Sequence, residues 1–203
     1  GTFQQMETLH VEGARIVATM VHTERSGLPY DVVDALTGPA IGRPKSASFR
    51  TVDVVGLDTT AHVIGTMRDT LQDDPWHAHF DVPKVMAALI AKGALGQKSG
   101  AGYFKKVGKD ILRLDPAKGD YVQGQEAGTY VPAGGKADEI VARMLKKPAA
   151  ERLKLLHEST NPQAQFLWAI LRDAFHYAAV HLEAIADSAR DVDFAMRWGF
   201  GSK

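Results

Sequence analysis

Residues 31–58 read DVVDALTGPAIGRPKSASFRTVDVVGLD. A short helix is predicted over Asp31–Leu36, and the segment Gly38-Pro39-Ala40-Ile41-Gly42-Arg43-Pro44 stops it. Ser46 or Ser48 can cap a second helix, because a side-chain oxygen there accepts an orphan N–H of the first turn. Gly56 interrupts that run, and Leu57-Asp58-Thr59-Thr60 opens another helical pattern. Asp53 and Asp58 bracket the junction, where either carboxylate would suit the positive end of a helix dipole. On spacing alone the stretch is a helix–loop–helix corner that sets packing angles.

Helical periodicity continues on both sides of this corner. Upstream, Met6, Leu9, Gly13, Ile16, Val17 and Met20 form one face of a helix over residues 3–25, closed by Ser26-Gly27-Leu28-Pro29. Downstream, Leu57, Val63, Ile64, Met67 and Leu71 predict a helix over 57–71, broken by Asp73-Asp74-Pro75. Asp81 is expected to cap a helix through Val82, Val85, Met86, Leu89 and Ile90, with Pro83 in its first turn. Residues 93–104 then hold four glycines in ten positions, a demand for unusual backbone angles or close approach.

A small β-hairpin is expected from Ile111–Leu114 to Asp120–Val122, and a linker over 123–137. Short helices follow at 138–146 and 149–158. Asn161-Pro162 starts what reads as the longest helix, to about Ala186, with apolar residues nearly all round. Val33-Asp34 followed by Gly42 recurs as Val192-Asp193 followed by Gly201, offset by 159 residues. Both pairs come just after a long apolar helix, which points to an internal repeat.

The chain has 203 residues, no cysteine and a formal net charge of zero, with 24 basic and 24 acidic side chains. A nucleic-acid surface would need a clustered basic excess. No apolar run approaches the roughly 20 residues that span a bilayer, and no secretory signal is recognisable. Lack of cysteine fits a reducing compartment, and a cytoplasmic location is expected. Gly1 stands where an initiator Met would, and the end at Lys203 follows an apolar-rich turn. A piece of a longer polypeptide is the expectation.

Several candidate sites fail on spacing. Gln97 separates Gly96 from Lys98, and a helix precedes them, so residues 93–104 do not make a phosphate loop. His77 and His79 near Asp73, Asp74 and Asp81 lack a ligand set fixed by spacing. His176 and His181 are five apart and share no helix face. No nucleophile elbow, Ser/His/Asp set or dinucleotide fingerprint is present.

Two stretches carry a family resemblance: VDALTGPAIGRPKSASFRTVDVVGLDT and, about 35 residues on, GALGQKSGAGYFKK. Together they resemble the C-terminal domain of 3-hydroxyacyl-CoA dehydrogenases. The Asp-x-x-Gly-Leu-Asp pattern falls on Asp53–Asp58. Gln97 and Ser99 stand where the family's second segment has Lys and Thr, Tyr103-Phe104 inverts its aromatic pair, and Ala47-Ser48-Phe49 stands for Gly-Pro-Phe. The tail ARDVDFAMRWGFG resembles the start of a second copy, as in multifunctional fatty-acid oxidation proteins that join dehydrogenase and enoyl-CoA hydratase activities.

The resemblance implies a mainly α fold: a helical bundle with a small β-hairpin and a partial second repeat. Its expected parts are the helical domain at 1–106, hairpin and linker at 107–137, and short helices with the truncated copy at 138–203. It implies a parent enzyme using NAD, bound by an upstream Rossmann domain that carries a catalytic His–Glu pair. The family's Asn would fall just before Gly1, so no catalytic, cofactor or metal residue maps here, and the chain alone is expected to be inactive. Arg43, Lys45, Ser46 and Phe49 are the candidates for the substrate side, with corner packing as the competing role. Asp53 and Asp58 are expected to be helix caps. The implied partners are the Rossmann domain, acyl-CoA, and a like domain in a homodimer or pseudo-dimer, with no nucleic acid and no membrane span. The competing reading is a purely structural dimerisation module.

Overall fold

The computed structural model describes residues 2–118 and 128–200. Among them nine α-helices and a three-stranded antiparallel sheet are found, so the fold is mainly α with a small sheet. The contacts divide the chain into two units. The first comprises residues 1–27, 36–45 and 137–203, and the second residues 28–35 and 46–136.

In the first unit, α1 (Thr2–Ser26) packs along α8 (Pro162–Ile185). Val11, Ala14, Val17, Ala18 and Met20 of α1 are buried, as are Phe166, Leu167, Ile170 and Tyr177 of α8. Their three- and four-residue spacing produces matching apolar stripes. His22 and Asp173 tie the two helices, with Nε2 to Oδ2 at 2.6 Å. Asn161 caps α8 by accepting N–H bonds from Gln163 and Ala164, and Pro162 occupies the first turn. The shorter α6 (Glu139–Leu145) and α7 (Ala149–Glu158) fall where periodicity places them, burying Val141, Leu145 and Leu156. The last helix is α9 (Ala189–Phe200).

Two expectations need correction here. At 24 residues α8 is one shorter than α1. It is also not enclosed on most sides: Phe175 is 59% and Val180 47% exposed. The 159-residue offset, by contrast, carries the bounds of α1 onto 161–185, where α8 with its cap Asn161 lies, and the start of α2 (Tyr30–Thr37) onto the start of α9. Gly201, the last point of that repeat, lies outside the described residues.

The second unit is built on α3 (Phe49–Val55), α4 (Leu57–Thr70) and α5 (Lys84–Ala91). Phe49 and Tyr103, with Tyr30 from the start of α2, form a cluster of three rings whose centroids lie 4.6–4.8 Å apart. Leu57, Ile64, Met67, Phe80, Met86 and Leu89 extend the core. The helix expected from Val82 starts at Lys84. Pro83 stands at its cap position and Asp81 does not cap it; Asp81 faces Arg68 at 3.6 Å instead.

The hairpin also differs from expectation. Strand β2 (Asp110–Asp115) pairs with β1 (Phe104–Val107), in the register Phe104 opposite Arg113 and Val107 opposite Asp110. Gly108, at φ 60°, takes the first turn position, and two-residue hairpin loops favour such a glycine. The far side of β2 pairs with β3 (Thr129–Pro132), inside the stretch read as linker. The expected strand 120–122 lies outside the described residues. No helix among the described residues is long and apolar enough to cross a membrane.

Candidate functional site

Three buried aspartates organise the second unit, each occupied by backbone N–H groups. Asp34 lies on α2, 8% exposed. Its Oδ1 accepts from Ser48 N at 3.1 Å and Phe49 N at 2.7 Å, and its Oδ2 from Arg50 N at 2.9 Å. These are orphan donors at the start of α3, so a remote carboxylate caps the helix. The expected local cap is therefore corrected: the Ser48 side chain does not cap α3, and the Ser46 hydroxyl accepts from Thr51 Oγ1 at 2.8 Å. Asp31 Oδ2 accepts from Gly134 N and Gly135 N at 2.9 and 2.7 Å, and its Oδ1 pairs with Arg113 Nε at 3.0 Å.

Asp53 is the third. It lies within α3 rather than at a helix start, which corrects its expected role as a helix cap. Its two oxygens accept the N–H groups of Tyr103 and Phe104, each at 2.8 Å. The glycine-rich segment is moulded over it. A Cβ at Gly96, which sits at φ 99°, would overlap the Asp53 carbonyl, and one at Gly102 would overlap its carboxylate. Beside it, Lys98 Nζ reaches Asp58 Oδ1 and Oδ2 at 2.6 and 2.7 Å. Asp58 is in the first turn of α4, and its carboxyl is held below the usual range, first by the Lys98 hydrogen bond. The Asp-x-x-Gly-Leu-Asp stretch and the glycine-rich segment are thus two halves of one joint.

Burial pushes the Asp34 and Asp53 carboxyls up to about 6, against the opposing pull of the N–H groups they accept. On one side of the joint opens a pocket of about 300 Å³. Arg50, Lys105 and Lys106 supply positive charge to it, and Phe104 and Ile111 apolar wall. The Arg50 guanidinium stacks over the Phe104 ring, 5.0 Å from its centroid.

The four candidates from sequence do not form one cluster. Phe49 is 2% exposed and its ring is consumed by the Tyr30–Tyr103 cluster. Ser46 is bonded within the corner. Arg43 and Lys45 belong to the other unit, where Arg43 lines a separate pocket. Sequence reading missed Arg50, Lys105 and Lys106 as site residues, although all three lie inside the two quoted stretches.

The glycine-rich segment does not form a dinucleotide-binding turn. The main-chain donors Tyr103 N and Phe104 N of the glycine-rich segment are already taken by the protein's own carboxylate, Asp53, and the segment follows α5 rather than a strand. His77 Nε2 donates to the Arg68 carbonyl at 2.9 Å. No group of three or more His, Asp or Glu among the described residues could hold a metal ion.

With this geometry in place, residues 8–106 match the family described as 3-hydroxyacyl-CoA dehydrogenase, C-terminal domain. That stretch of the chain belongs to this family, and it contains both motifs of the Asp53 joint. A Bacillus subtilis (strain 168) protein named "Probable 3-hydroxyacyl-CoA dehydrogenase" is 38% identical over 186 residues, 92% of this chain and 22% of the relative. A protein of the same name from Deinococcus radiodurans is 44% identical over 98 residues, 48% of this chain and 28% of the relative. The chain thus spans about a quarter of the length of these curated relatives. No solved structure gives a significant match.

Proposed function

We propose that the chain is the substrate-side helical part of an NAD-dependent L-3-hydroxyacyl-CoA dehydrogenase of fatty-acid β-oxidation. The observation that carries this reading is the family match over residues 8–106, which includes the whole Asp53 joint. In the parent protein NAD would take hydride from C3 of the 3-hydroxyacyl group. We assign that step to an NAD-binding domain outside these residues, and these 203 residues alone are expected not to turn over. Their part is to wall the acyl-CoA side. The Arg50, Lys105 and Lys106 pocket suits the phosphates of a CoA carrier. Arg43 and Lys45 remain candidates for the substrate side, while Ser46 and Phe49 serve by packing the corner. Residues 138–203 stand in for a dimer partner, α8 and α9 repeating the order of α1 and α2. The enzyme works in the cytoplasm.

The test is NADH oxidation with acetoacetyl-CoA, on this chain alone and after adding a separately made NAD-binding domain of a relative. Silence alone with activity on mixing is expected. Turnover by the chain alone would overturn the assignment of chemistry. The rival reading, a structural dimerisation module, is favoured only by the packing of α1 on α8. It predicts that acetyl-CoA leaves the amide spectrum around Arg50 and Lys105 unmoved.

A further inference from the structure

We infer that the pocket lined by Arg50 and Lys106 takes the nucleotide end of the CoA carrier, its phosphates and adenine, while the pantetheine arm and the acyl group lie elsewhere. This inference rests on the proposed acyl-CoA role and adds which part of that substrate the chain holds. The pocket belongs wholly to the second unit. Phe104 and Lys106 are two apart on β1, and Ile111 lies opposite Lys106, so the three side chains share one face of the sheet. Lys105 points to the other face, where its ammonium lies 5.6 Å from the centroid of the Tyr130 ring. Its charge is engaged first by that ring.

Two cations are left for a ligand. Both are exposed, and Lys106 makes no hydrogen bond or ion pair among the described residues. The Arg50 guanidinium lies over the Phe104 ring and feels the Asp34 charge, but its N–H groups donate to no acceptor among the described residues. A ring contact uses the face of a guanidinium and leaves its in-plane donors available. The acid in the wall, Asp53, has its two oxygens turned onto the N–H groups of Tyr103 and Phe104. Pantetheine carries no charge and an acyl chain only apolar surface, so either would leave both cations without a counter-charge. The phosphates of the nucleotide end match them, the Arg50 fork taking oxygens in pairs and Lys106 acting as a point charge. A base suits the rest, because guanidinium planes and aromatic rings stack bases, and Ile111 adds apolar contact.

The experiment is calorimetric titration of the 203-residue chain with CoA, adenosine 3′,5′-bisphosphate, pantetheine, NADH and inorganic pyrophosphate. Saturable binding of the bisphosphate close to that of CoA, and at least about tenfold tighter than of the other three, is expected. Lys106→Gln and Arg50→Gln should each weaken it about tenfold, while Lys109→Gln, a charge lost from the turn of the same hairpin, should leave it unmoved. Pantetheine as tight as CoA, NADH or pyrophosphate as tight as the bisphosphate, no saturation by CoA, or equal weakening in all three variants would overturn the inference. No arm involves turnover, so the two readings fail separately. Activity on mixing with the NAD-binding domain but no bisphosphate binding would overturn this site and leave the dehydrogenase reading standing. Bisphosphate binding with a silent mixture would count against the dehydrogenase reading instead.

Discussion

The carboxylate of Asp53 accepts the main-chain N–H of Tyr103, 50 residues further along the chain, at 2.8 Å. Its other oxygen takes the N–H of Phe104 at the same distance. Removing this carboxylate leaves two largely buried donors without a partner, each costing about 1–3 kcal/mol. Asp53→Ala should therefore destabilise the chain by about 3 kcal/mol in urea titration, with faster amide exchange at Tyr103 and Phe104. Asp53→Asn keeps one acceptor and should cost less. In the assembled dehydrogenase, loss of turnover by a fully folded Asp53→Asn protein would show that Asp53 does more than hold the joint.

Glycine substitutions separate close packing from backbone preference. Gly102→Ala would drive its Cβ into the Asp53 carboxylate, so a loss of about 3 kcal/mol or more is expected. Gly100 has open space but φ 79°, and its alanine variant should lose only about 1 kcal/mol. Gly65, inside α4 with open space and an ordinary φ, should gain: Gly65→Ala is expected to raise stability by about 0.5–1 kcal/mol. Thermal melts of the three variants give the order directly.

Capping of α3 by Asp34 supports a helix of only seven residues. Asp34→Ala should cost about 2 kcal/mol, at the upper end for lost caps, because three N–H groups lose their acceptor. Ser48→Ala, which a local-cap reading makes equally damaging, should cost well under 1 kcal/mol. Equal losses in the two variants would contradict the remote cap.

The buried acids also fix a direction for pH dependence. Asp34 and Asp53 hold their protons to about 6 in the folded chain, against 3.8 ordinarily. Between those values the folded state binds more protons than the unfolded one, so stability from these groups is full below about 4 and declines as pH rises to 6. The slope is up to about 1.4 kcal/mol per pH unit for each group. Asp58 and Asp173 are shifted downward, so their contributions are lost only as pH falls below about 4, outside this window. Urea midpoints from pH 4 to 6 should therefore fall, and Asp53→Asn should flatten the trend.

Much of this fold was legible because helices advertise themselves locally. The apolar steps Gly13, Val17 and Met20 and the Asn161-Pro162 start are signals within one or two turns. The acids were not legible in role. Asp34 and Asp53 act on N–H groups 14 to 51 residues away, and no pattern near either marks the recipient. The hairpin was misread because Asp115-Pro116 is a louder turn signal than Gly108-Lys109, although the latter suits a two-residue loop. Tyr130 and Val131 were overlooked among flanking glycines; what makes them a strand is pairing with Leu114 and Arg113, a tertiary effect. The candidate pocket around Arg50 depends on the same pairing, since β1 carries Lys105 and Lys106.

The pairing of α1 with α8 has a consequence for the order of events on the ribosome. The two helices are separated by residues 27–161, and the whole of the second unit is encoded between them. At about 5–20 residues per second, α1 emerges roughly 8–30 seconds before all of α8 has been synthesised. During that interval Val11, Val17 and Met20 have no partner stripe, while residues 46–136 can already begin to close their own core. The nascent chain thus carries an uncovered amphipathic helix for as long as residues 27–185 take to be synthesised.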